Sequence, residues 1–72
     1  MIIYIAEIDT RHFSFLTAAK SEAGARSRLM AGWRRHCADY STADPGYIKP
    51  DDVAVHALDI DAPVILRDGE PL

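Results

Sequence analysis

Ser21 to Tyr40 is the only stretch of this chain with a sustained helical period, and strand-like runs flank it on both sides. At about 100° per residue, Ala25, Leu29, Trp33, His36, Cys37 and Tyr40 fall in one stripe, with Met30 at its edge. Ser27, Arg28, Ala31, Arg34, Arg35, Ala38 and Asp39 take the far side. That pattern predicts an amphipathic surface helix with one buried stripe. Ser21 fits the N-cap, where its hydroxyl accepts from an orphan backbone N–H. Glu22 suits the positive end of the helix dipole. Glu22–Arg26 and Arg35–Asp39 are spaced as i,i+4 ion pairs, each stabilising by roughly 0.2–0.5 kcal/mol. Gly24 and Gly32 oppose the helix by up to about 1 kcal/mol each relative to Ala, unless a neighbour needs the space. A strand passing close to Gly32 would be such a neighbour.

Ile2–Ile8 is apolar on both alternations: Ile2, Tyr4, Ala6 and Ile8 on one, Ile3, Ile5 and Glu7 on the other. It reads as a strand covered on both faces. Asp9–His12 reads as a polar turn, and Phe13–Ala18 as a second strand closing an antiparallel hairpin. Residues 41–52 read as loop, punctuated by Asp44-Pro45-Gly46 and Lys49-Pro50-Asp51-Asp52. Tyr47 and Ile48 are expected to pin that loop to the core. Val53–Ile60 reads as a third strand. Val64–Leu66 is a candidate short fourth, and Arg67–Glu70 a terminal turn. The expectation is one α+β domain over residues 1–72. It has a three- to four-stranded antiparallel sheet in ββαβ order, with one amphipathic helix on one face.

One helix covers one face of such a sheet, yet the first and third strands are apolar on both. Ile3 or Tyr4 with Leu58 or Val55 would then leave an apolar patch, and such patches mark a binding surface. Three occupants fit: a second copy of the chain, a bound target, or the C-terminal segment folded across it.

Composition narrows the function classes. With 49% hydrophobic and 26% charged residues the chain has ordinary globular composition, which argues against disorder. Its single Cys excludes an internal disulfide, so a reducing, cytoplasmic setting is expected. Met1–Ile8 is too short and lacks the basic flank of a secretory signal, and no apolar run has the roughly 20 residues of a membrane span. Net charge is −3, which argues against a dedicated nucleic-acid binder. The charge is polarised: residues 1–38 hold six basic and three acidic side chains, residues 39–72 two basic and eight acidic. A polarised chain can orient toward a charged partner.

Catalytic and metal patterns are thin. His36 and Cys37 are adjacent, with His12 and His56 elsewhere, but the short ligand spacings of a zinc site are missing. Cys37 with His56 is a conceivable nucleophile pair across helix and strand, without a recognisable oxyanion hole. Asp51-Asp52 and Asp59-x-Asp61 are carboxylate pairs; Asp59 and Asp61 share a strand face and are expected to meet. No Gly-rich phosphate loop is present. Neither cofactor nor metal is expected. The candidate partner-binding residues are the basic Arg28, Arg34 and Arg35 and the acidic Asp51, Asp52, Asp59 and Asp61.

The strand pair entering a Ser-Glu-Ala helix, Ile2–Ala18 then Lys20–Cys37, resembles in layout the N-terminal part of HicB-type antitoxins. It lacks their Gly/Pro-rich turn before the helix and their DNA-binding segment. That resemblance implies a partial double-stranded-RNA-binding-like fold and neutralisation of a toxin. As a short, acidic, Cys-poor α+β chain it also resembles, as a class, phage and mobile-element inhibitors such as anti-CRISPR proteins. That class implies occlusion of a surface on a larger complex, sometimes by an acidic surface imitating DNA. The function expected is therefore a non-enzymatic inhibitor or modulator that binds a protein partner. The competing expectation is a small regulatory module binding nucleic acid or a toxin through the arginine helix.

Overall fold

The structure is a computed structural model describing residues 1–72. Strands β1 (Ile2–Asp9) and β2 (Ser14–Ala19) form a hairpin; helix α1 (Glu22–Asp39) follows, then β3 (Ala54–Asp59). The antiparallel sheet has the order β2-β1-β3, so the chain's most apolar strand is central. α1 starts where the cap signal placed it: Ser21 Oγ accepts from the Gly24 N–H at 3.0 Å. It ends at Tyr40, whose N–H donates to the His36 carbonyl.

Register decides which alternation faces the helix. Ala6 lies opposite Thr17 on β2 and Val55 on β3, and paired residues share a face. Tyr4, Ala6, Ile8, Phe15, Ala19 and Val55 therefore pack beneath α1, against its buried Ala25, Leu29 and Trp33. Ile48 and Val53 complete the core from the connecting segment. Ile48 is buried as expected, whereas Tyr47, expected to help pin the segment, is 64% exposed. The segment is not plain loop, since Pro45–Tyr47 and Pro50–Asp52 each form a 3₁₀ turn with proline in its first positions. Gly32 does not admit a strand: a Cβ there would meet nothing within 4 Å.

The opposite sheet face carries Ile3 against Leu58, Ile5 against Ala18 and His56, and Glu7 against Leu16. Ile3, Ile5 and Leu58 are half-buried and Leu16 is 70% exposed. The expected fourth strand begins later, at β4 (Leu66–Arg67), and pairs with β5 (Glu70–Pro71) in a separate two-stranded ribbon. Its turn, Asp68-Gly69, has φ of 54° and 82°, as a tight hairpin requires. Gly69 lies on the His56 ring, so the ribbon touches the open face at β3.

Only six residues are buried, and the molecule measures 42 × 21 × 18 Å. Its radius of gyration, 13.1 Å, exceeds the ~11 Å typical of a chain this long. Its accessible surface is 5368 Å², about 900 Å² above the ~4,450 Å² of an ordinary monomer of this mass.

Candidate functional site: an aromatic groove

A hollow of about 460 Å³ opens where the β1–β2 turn, the end of α1 and the first 3₁₀ turn meet. Its apolar walls are Phe13, Trp33, Tyr40 and Tyr47, with His36 among them. His36 packs against Phe13 at 4.8 Å and Tyr40 at 4.7 Å, and stacks on Trp33 at 5.3 Å. Tyr47 flanks Trp33 at 6.4 Å. Trp33 forms the buried floor, while Phe13, Tyr40 and Tyr47 are 45%, 51% and 64% exposed.

Local bonds fix each wall. The Thr10 N–H donates to the Phe13 carbonyl at 2.7 Å, and the Phe13 N–H donates to Thr10 Oγ1 at 3.0 Å. Asp44 Oδ1 accepts from the Gly46 N–H at 2.9 Å, and the Asp44 carbonyl from the Tyr47 N–H at 3.0 Å. Trp33 Nε1 donates to the Pro45 carbonyl at 3.1 Å, tying floor to wall. Arg11 and His12 line the groove beside Phe13, and Asp44 lines it beside Tyr47. An apolar hollow with a cation at one lip and a carboxylate at the other suits an apolar or aromatic anchor from a protein surface.

The charged residues singled out from sequence do not form one site. Arg28 Nη1 donates to the Ala18 carbonyl at 2.6 Å. Arg35 pairs with Asp39 at 3.7 Å, and Arg26 with Glu22 at 3.4 Å. Asp52 accepts from the Lys49 N–H at 2.9 Å, closing the second 3₁₀ turn. Asp59 and Asp61 do meet, both accepting from the amino group of Met1. Arg34 and Asp51 alone have no partner within the chain. Arg34 shares a shallow hollow of about 360 Å³ with Arg26, Met30 and Pro50, where Arg26 Nε lacks an acceptor.

Cys37 and His56 are not a pair. Cys37 packs on the core under α1, whereas His56 lies opposite Ile5 on the other sheet face. His56 Nε2 instead meets Glu7 Oε1 at 3.1 Å. No three His, Cys, Asp or Glu side chains converge. No helix is long and apolar enough to cross a membrane.

The groove residues missed in the sequence come from three segments. The sequence pattern assigns Phe13 to a strand, Tyr40 to the buried stripe and Tyr47 to a loop anchor. The available signal was the run of aromatics just beyond each element's end. Compared with protein-family models, with curated proteins and with solved structures, the chain matches none.

Proposed function

We propose that this chain is a non-enzymatic binding protein that seats an apolar segment of a protein partner in the aromatic groove and thereby occludes the partner's surface. The observation that carries this reading is the exposure of Phe13, Tyr40 and Tyr47 around a hollow whose walls are already held by hydrogen bonds. Exposed aromatics on a rigid frame lose little entropy on binding, and such rings dominate interface energetics. The acidic half of the chain would orient the approach of a basic partner. An inhibitor of the anti-CRISPR type is one protein that would work this way.

The test compares capture from host extract by wild type, by Phe13→Ala with Tyr47→Ala, and by Arg28→Glu with Arg35→Glu. All these side chains are substantially exposed, so circular dichroism should show the fold retained. A protein held by wild type and by the arginine variant, and lost at least tenfold from the groove variant, supports the reading. The reverse pattern, together with a gel shift of nucleic acid at low salt, replaces it with the arginine-helix reading.

A further inference from the structure

The aromatic groove contains one polar side chain whose bonding the protein itself does not complete. Of the polar residues lining it, Arg11, His12, Thr42 and Asp44 are exposed, so water meets their polar atoms. Thr10, Trp33 and His36 are partly or wholly buried. Thr10 Oγ1 donates to the Phe13 carbonyl at 2.9 Å and accepts from the Phe13 N–H at 3.0 Å. Trp33 Nε1 donates to the Pro45 carbonyl. His36 is different. The imidazole with a hydrogen-bonded nitrogen is that of His56, and neither nitrogen of His36 has a partner in the chain.

The surroundings of His36 explain this. Trp33 and Tyr40 lie against it at 5.3 and 4.7 Å, and Phe13 and Phe15 meet it edge-on at 4.8 and 5.3 Å. These four rings fix the imidazole without offering it a hydrogen bond. Its nitrogens are still reachable from solvent, since the enclosed side-chain atom without a partner is Arg26 Nε. A wholly apolar guest would strip water from those nitrogens and put nothing in its place, which costs affinity.

On the reading of this groove as the partner site, we propose that the anchor it takes is a tyrosine side chain whose phenol hydroxyl bonds a ring nitrogen of His36. A neutral imidazole presents one donor and one acceptor. A hydroxyl both donates and accepts, so it satisfies either nitrogen, whereas an indole N–H only donates. The phenol ring supplies the apolar body that Phe13, Tyr40 and Tyr47 surround. Charge selects in the same direction. Arg11 lines the groove beside Phe13 and Asp44 lines it beside Tyr47. A carboxylate guest would meet Asp44 and an ammonium guest Arg11; a neutral phenol meets no like charge.

NMR titration with N-acetyltyrosinamide and N-acetylphenylalaninamide tests this, since the two probes differ only in the hydroxyl. Wild type should bind the tyrosine probe more tightly by a factor of about five, the worth of one net hydrogen bond. The ring nitrogen resonances of His36 should move with the tyrosine probe and stay in place with the phenylalanine probe. His36→Phe keeps a ring among the aromatics and removes both nitrogens, so the fold should persist and the preference should vanish. Equal binding of the two probes at the groove overturns the proposal and leaves the groove reading standing. A preference that survives His36→Phe, or His36 nitrogens indifferent to the tyrosine probe, also overturns it. A loss on His36→Phe that is larger for N-acetyltryptophanamide than for the tyrosine probe overturns the choice of a phenol. If no probe moves the resonances of Phe13, Trp33 or Tyr47, the groove reading itself falls, and this inference with it.

Discussion

Gly24 and Gly32 lie in the same helix, yet the same substitution should move stability in opposite directions. A Cβ at Gly32 enters open space, so Gly32→Ala removes chain entropy from the unfolded state and should stabilise by about 0.5–1 kcal/mol. A Cβ at Gly24 would stand 2.9 Å from Ser21 Oγ, the atom that caps the helix. Gly24→Ala should disturb that cap and destabilise by about 1 kcal/mol despite its better helix propensity. Urea titration of the two variants reads both signs. Trp33 is the larger stake. It is 3% exposed, stacked on His36, set edge-on to Phe15 and bonded to Pro45. Trp33→Ala should cost about 3–5 kcal/mol, and in a chain with six buried residues that should leave little folded protein at room temperature.

At the scale of elements, legibility followed periodicity. The helix was readable because Ala25, Leu29 and Trp33 repeat on one stripe and Ser21 marks its start. The sheet was readable because Ile2–Ile8 and its neighbours alternate; Asp59 and Asp61 meet for another reason, since β3 ends at Asp59 and the Asp61 N–H folds back onto Asp59 Oδ1 in the turn that follows. The groove was not readable, because Phe13, Tyr40 and Tyr47 each sit just past the end of a regular element, where no period constrains direction. Nor was the C-terminal ribbon. Asp68-Gly69 is a hairpin signature, but nothing local says whether its strands join the main sheet. Gly69 determines how the ribbon sits: a methyl there would lie 2.4 Å from His56 Cε1, at a φ that L-residues rarely adopt. Gly69→Ala should release the ribbon at a cost of about 1 kcal/mol. NMR should show the His56 ring resonances moving while those of Trp33 stay in place.

For the whole molecule, the large ratio of surface to core is the governing fact. Stability drawn from so few buried side chains is sensitive to anything that binds the folded form alone. Charge polarity operates at the same scale, with the basic side chains concentrated toward α1 and the acidic ones in the second half of the chain. Trp33 has a further consequence. It is the only tryptophan, and it forms the floor of the groove against an imidazole. Light emitted by this chain when it is excited at wavelengths that only indole absorbs therefore originates beneath the place where a guest would settle. Colour and brightness would both report the guest's arrival, without a dye and without altering a single atom of the protein.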